Sequence, residues 1–176
     1  LDLSYAPGVE NHVFYVPLPT INLRSMAKEI ERKFLVVDDS YKDYTSTRIR
    51  QGYLSSEPSR TVRVRVKGNR GYITVKGLTC GATRDEFEYE IPLCDAEAML
   101  CMCDPDTVID KIRYNVGRWE VDEFHGRLEG LRVAEIELSV EDEAIALPSF
   151  AGREVTGDER YYNSALASAT KLPPLE

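Results

Sequence analysis

Two short stretches space charged side chains two residues apart: Glu29, Glu31 and Lys33 in "KEIERKFLV", and Arg63, Arg65 and Lys67 in "RTVRVRVKG". On a strand, residues two apart point the same way, so each stretch lines one face with charge. The alternation recurs down the chain. Thr74 and Lys76 oppose Ile73 and Val75, and Arg84, Glu86, Glu88 and Glu90 oppose Phe87, Tyr89 and Ile91. Further on, Lys111 and Arg113 oppose Ile112 and Tyr114, Glu120 and Asp122 oppose Trp119 and Val121, and Glu135 and Glu137 oppose Ala134, Ile136 and Leu138. Guanidinium groups bind phosphate bidentately and ammonium groups supply point charges. Clustered carboxylates suit a hard divalent cation, Mg2+ or Mn2+, held through oxygen. A polyphosphate with its metal ion satisfies both kinds of face. The chain has no glycine-rich phosphate loop, so side chains rather than backbone amides must hold the anion.

One alternating strand is ordinary, because a half-buried antiparallel sheet always alternates and pairs opposite charges on its exposed face. The set is less ordinary. The polar faces are almost wholly charged, some entirely basic and others entirely acidic. If the sheet closes, these charges meet across a lumen and the apolar faces pack outward against helices.

The elements that must position them follow from the same period. Strands are expected at "EIERKFLV", "STRIRQGYLS", "RTVRVRVKG", "GYITVKG", "TRDEFEYEIP", "VIDKIRYNV", "RWEVDEFHG" and "LRVAEIELSV". A helix after the fifth takes Asp95 as N-cap and ends before Pro105, with Cys101 to Cys103 inside it. A short helix over 142–146 and a C-terminal helix from Asp158 complete the chain. The expected fold is α+β, mainly β: a closed eight-stranded antiparallel β-barrel with a charged interior and helices packed outside. Trp119 and Tyr114 belong to the outer core, His125 to a turn, and Tyr161 and Tyr162 to the docking of the last helix.

The 176 residues fit one domain, and the net charge of −8 argues against nucleic acid as the main partner. Cys80, Cys94, Cys101 and Cys103 match no zinc template and read as reduced thiols, which places the protein in the cytoplasm. No apolar run reaches the roughly 20 residues that span a bilayer, so no membrane partner is expected. Residues 1–25 lack the pattern and read as an extension or appended segment. Either a monomer or a homodimer is compatible with the sequence.

The ordered series "EIERKFLV", "QGYL", "RTVRVRVKG", "YITVKG", "RDEFEYEIP", "IDKIRY", "WEVDEFHG", "GLRVAEIEL" and "EVTGDERYYN" resembles the CYTH proteins, or triphosphate tunnel metalloenzymes. The resemblance covers residues 26–168, leaving 169–176 as a tail, and is strongest to the short bacterial inorganic triphosphatases. It implies an eight-stranded tunnel that binds triphosphate and a divalent metal, Mg2+ or Mn2+. By this resemblance Lys33, Arg63, Arg65, Lys76, Lys111 and Arg113 grip phosphates, with Arg84 a further candidate and the helix around Arg160 closing one mouth. Glu29, Glu31, Glu135 and Glu137 hold metal, with Asp122 and one or more of Glu86, Glu88 and Glu90 on the acidic wall. Tyr53 matches a partner of Lys33, and Lys33, Tyr53, Glu88 and Glu90 are the catalytic candidates.

The implied function is metal-dependent hydrolysis of a small triphosphate, inorganic tripolyphosphate or a nucleoside triphosphate. Thiamine triphosphate and RNA 5′-triphosphate are further substrate options. Adenylate cyclase activity is the alternative within the family, and a non-catalytic polyphosphate binder the alternative outside enzymology. Both Glu-Ile-Glu pairs are intact, which favours an enzyme.

Overall fold

The computed structural model describes residues 30–57, 59–77, 86–140 and 142–175. The alternating stretches form strands β1 (Ile30–Val36), β2 (Ser46–Ser55), β3 (Thr61–Lys67), β4 (Arg70–Lys76), β5 (Glu86–Ile91), β6 (Ile109–Val116), β7 (Trp119–Phe124), β8 (Arg132–Leu138) and β9 (Ala151–Glu154). Among the described residues, helix α1 (Leu93–Leu100) lies between β5 and β6, and helix α2 (Asn163–Ser168) follows β9. Two hairpins close through two-residue turns whose first residue is glycine: Gly68 at φ +59° after β3 and Gly117 at φ +62° after β6. A glycine there supplies the positive φ of a type II′ turn, whose twist matches that of the flanking strands.

Every pairing is antiparallel, and the strand order is β5-β4-β3-β2-β6-β7-β8-β1-β9. The described sheet therefore has nine strands where eight were expected, with β5 and β9 at its ends. The addition is β9, four residues that pair with β1.

The apolar faces build separate clusters on the outside. Phe34, Trp119, Val121 and Ile136 pack under Tyr41 and Phe150, which come from loops rather than helices. Trp119 stands edge-on to Phe34 and Phe150, with ring centroids 5.5 and 5.9 Å away. Tyr114 joins the same cluster, as the sequence implied. On β3, Val64 and Val66 pack against Ala96, Leu100 and Cys103, from α1 and the turn after it. A Cβ at Gly71 would stand 2.6 Å from that of Ala96, so only glycine lets α1 approach β4 this closely.

The third cluster lies elsewhere. Leu35, Ile109, Phe124 and Val133 share strand faces with Lys33, Lys111, Asp122 and Glu135, and they pack against Tyr161, Leu166 and Ala167. The charged face thus becomes apolar at one end, and α2 forms a plug there instead of lying outside the sheet. Burying such side chains stabilises by about 1.5–3 kcal/mol each.

Other expectations shift as well. Residues 142–146 contain no helix. α1 begins after Pro92 with Asp95 in its first turn, and Cys101 to Cys103 follow its end as a turn. Asp158 caps a 3-10 turn, Glu159–Tyr161, ahead of α2. Cys94, Cys101 and Cys103 are free thiols. No described helix is long and apolar enough to cross a membrane. The segment 1–25, Glu29, Cys80 and Arg84 lie outside the described residues.

Candidate functional site

The concave face of the sheet encloses a cavity of about 610 Å³, lined from β1, β2, β3, β4, β5, β6, β7, β8 and the start of α2. Its walls differ in sign. Arg63, Arg65 and Lys76 stand on β3 and β4, while Glu31, Glu120, Glu135 and Glu137 stand on β1, β7 and β8. β2 departs from the pattern. Its charges, Arg48 and Arg50, face away, and Arg48 pairs with Asp110 at 2.5 Å. Gln51 and Tyr53 take the cavity side instead.

Between the walls runs a connected set of ion pairs near the apolar plug. Lys33 Nζ donates to Glu135 at 2.7 Å and lies 3.3 Å from Glu31. Arg113 donates to both oxygens of Asp122, at 2.6 and 2.5 Å, to Glu135 at 3.1 Å, and to Glu120. Lys111 Nζ donates to Asp122 at 2.6 Å and to Asn163 Oδ1 at 3.2 Å. Burial alone disfavours every one of these charges, and only the partners keep them charged. Burial pushes the Asp122 carboxyl up, but Lys111 and Arg113 outweigh it and hold it well below the carboxylate range. Burial likewise opposes Glu135, and Lys33 leads the cations that bring it below its ordinary value. For Lys111 burial wins, helped by Arg113, and its ammonium is held below the usual lysine value. Lys33 is buried too, yet Glu135 and Glu31 lift it above that value.

On the basic wall, Glu88 accepts from Arg65 Nη2 at 2.7 Å, Arg63 Nη2 at 3.1 Å and Thr74 Oγ1 at 2.7 Å. Lys76 Nζ lies 2.6 Å from Glu86. Among the described residues, three buried donors of cavity-lining side chains have no partner: Arg63 Nε, Arg65 Nε and Gln51 Nε2. Unpaired buried donors are costly, and these three belong to side chains that line one polar cavity.

The acidic wall poses the converse problem. In the register of the sheet Glu31 stands opposite Glu137, and Glu120 opposite Glu135. Like charges directly opposite are destabilising unless a cation sits between them. Lys33 and Arg113 neutralise Glu135 and Glu120, whereas Glu137 has no side-chain ion pair among the described residues. In this arrangement no three His, Cys, Asp or Glu side chains among the described residues group closely enough to hold a metal ion. The donors nevertheless fit a hard divalent cation in type, since all are carboxylates.

The cavity brings together Glu31, Lys33, Tyr53, Arg63, Arg65, Lys76, Glu86, Glu88, Lys111, Arg113, Glu135 and Glu137. Three expected residues stand elsewhere. Asp122 is fully buried at the plug end of the charged face, bound to Lys111 and Arg113. Glu90 lies 3.6 Å from Arg70 and is not part of the cavity lining. Arg160 turns back on Asp158 at 2.6 Å. His125 rests in a turn, 3.3 Å from Glu129. Tyr162 corrects its expected docking role: it lines the cavity, with Lys33 Nζ 5.8 Å from its ring centre. Glu120, placed on a charged face but given no role, lines it too, as do Asn163 and Arg118. Strand parity identifies Glu120; no local signal in the sequence points to the other two.

Residues 27–170 match the family model described as the CYTH domain. An inorganic triphosphatase of Acetivibrio thermocellus is 48% identical over 146 residues, covering 80% of this chain and 94% of that one. An inorganic triphosphatase of Nitrosomonas europaea is 37% identical over 148 residues, covering 79% and 96%. Among solved structures, a crystal structure of an inorganic triphosphatase superposes with a TM-score of 0.61 at 34% identity, covering 83% of this chain and 97% of that one.

Proposed function

The chain belongs to the CYTH family and is a triphosphate-hydrolysing enzyme, and on that premise we propose that it cleaves inorganic tripolyphosphate in the charged cavity with a divalent metal ion. The observation that carries this reading is the facing of Arg63, Arg65 and Lys76 by four carboxylates in one cavity. A linear polyanion fits between them, with its metal on the carboxylate side. The apolar surface that would hold a nucleobase is scarce, since Tyr53 and Tyr162 are the sole aromatic side chains on the described lining. That favours an inorganic substrate over a nucleotide and hydrolysis over cyclisation.

Glu31 and Glu137 are the first candidates to hold Mg2+ or Mn2+, with Glu135 and Glu120 beside them. Glu29 remains a candidate by resemblance alone. When bound, the ion neutralises phosphoryl oxygens and acidifies water. Lys33, Arg63, Arg65, Lys76, Lys111 and Arg113 orient the substrate and offset the charge that develops on the leaving phosphate. Glu86 and Glu88, on β5, accept hydrogen bonds from the attacking water. Asp122 holds Lys111 and Arg113 in place. Tyr53 sets the environment of Lys33 from β2. The overall reaction consumes one water and yields one pyrophosphate and one orthophosphate.

Closure of the wall into a tunnel belongs to the same reading. Glu31 of β1 and Glu86 of β5 line one cavity although six strands stand between theirs in the sheet order. The test is product analysis with tripolyphosphate and ATP under Mg2+ and Mn2+. Orthophosphate and pyrophosphate from tripolyphosphate support the reading. Cyclic AMP from ATP, with no tripolyphosphate turnover, would replace it.

A further inference from the structure

We propose that Glu88 is a built-in competitor for the substrate: its carboxylate occupies the seat formed by Arg63, Arg65 and Thr74, and a phosphoryl group must displace it to bind. This rests on the proposed triphosphatase reading and assigns Glu88 a specificity-determining role within it.

Three observations converge on the assignment. One Glu88 oxygen, Oε2, accepts all three hydrogen bonds, from Arg65 Nη2, Arg63 Nη2 and Thr74 Oγ1. A planar carboxylate thereby stands where a tetrahedral anion would find two guanidinium groups and a hydroxyl. Second, the seat has capacity that Glu88 leaves unused. Among the described residues Arg63 Nε and Arg65 Nε have no acceptor, and a phosphoryl group with three oxygens offers the two guanidinium groups more acceptors than the one oxygen that Glu88 uses. Third, Glu88 is placed to move. β5 is an end strand of the described sheet, with β4 its sole partner, and the Glu88 side chain is 33% exposed. The arginines are more enclosed, at 13% and 15%.

Such a competitor raises the threshold for occupancy. A seat that is free about one-tenth of the time binds its ligand about tenfold more weakly than an empty one. Tripolyphosphate, with more charge and more oxygens, meets other cations along the cavity and overcomes that threshold. Orthophosphate, confined to one seat, does not. The device therefore discriminates by anion size and helps the product orthophosphate to leave.

The test is calorimetric titration of tripolyphosphate and of orthophosphate into the full chain with chelator present, comparing wild type with Glu88→Gln, Glu88→Asp and Glu90→Gln. Glu90→Gln removes the same charge from the same strand but outside the cavity. For Glu88→Gln the account expects tripolyphosphate to bind about tenfold tighter and orthophosphate binding to become measurable. For Glu88→Asp, which keeps the charge but shortens the reach, it expects a smaller gain in the same direction. For Glu90→Gln it expects less than about a twofold change. Unchanged or weaker binding by both Glu88 variants, or an equal gain in Glu90→Gln, overturns the assignment. Parallel assays with metal separate the two readings. If wild type turns over tripolyphosphate while the Glu88 variants bind no tighter, the competitor alone falls. If wild type neither binds nor hydrolyses it, both fall.

Discussion

Glu31 and Glu137 stand directly opposite each other in the β1–β8 register, both on the cavity side. Two carboxylates so placed repel, at a cost of about 0.2–1 kcal/mol, and the lower end applies because Glu31 is partly exposed. A bound divalent ion reverses the sign of that interaction. Glu137→Gln is therefore expected to raise the melting temperature of metal-free protein slightly and to shrink the upshift that Mg2+ or Mn2+ produces. Thermal melts with and without metal check both signs. A larger metal upshift in the variant would contradict the assignment.

Arg65 and Lys76 hold the basic wall, and their charge matters most as the leaving phosphate develops its own. Arg65→Ala and Lys76→Ala should each lower kcat/KM for tripolyphosphate by about 10²–10³. Arg65→Lys should recover little, because an ammonium cannot replace a fork that donates to two acceptors. Initial-rate kinetics on the three variants test this.

Asp122 is wholly buried between Lys111 and Arg113, so its removal strands the Lys111 ammonium and leaves Arg113 with Glu135 and Glu120 alone. Asp122→Asn should destabilise the protein by about 3–5 kcal/mol. The pH dependence follows from the sign of the shift. The folded carboxyl sits far below its unfolded value of about 3.9, so its contribution is complete above that pH and fades as pH falls below it. Wild type should lose stability steeply below about pH 4, and the variant along a flatter curve, in denaturant titrations at several pH values.

Leu166 of α2 is fully buried in the apolar plug. Leu166→Ala should cost about 2–5 kcal/mol. Because Asn163 on the same helix holds Lys111, loosening the plug should also weaken tripolyphosphate binding. Chemical denaturation and calorimetry together separate the two effects.

How much of this was legible depended on the period. A strict alternation of two declares which residues share a face, and so Arg63, Arg65, Lys76, Lys111, Arg113, Glu135 and Glu137 could be gathered before any coordinates. Depth along a strand carries no such mark. Asp122 shares its face with Glu120, yet one meets buried cations and the other lines the cavity, because the plug begins beside Asp122. The plug itself was hidden: Leu35, Ile109, Phe124 and Val133 continue charged faces, and only their tertiary contact with α2 shows why they are apolar. On β2 both faces carry polar residues, so parity could not say that Arg48 and Arg50 point outward. β9 has four residues and no alternation, too short to announce itself. The charges of α2's neighbourhood misled for a local reason: Arg160 prefers its own cap, Asp158, two residues away.

The claim on which the account depends is that two oppositely charged walls act together on one polyphosphate. Its most direct measurement is the initial rate of orthophosphate and pyrophosphate release from tripolyphosphate by wild type and Lys76→Ala, with Mg2+ or Mn2+ and with chelator. Wild type should release equimolar products and show no turnover with chelator, and the variant's rate should fall by about 10²–10³. Turnover that survives chelation, or a Lys76→Ala rate equal to wild type, would contradict it.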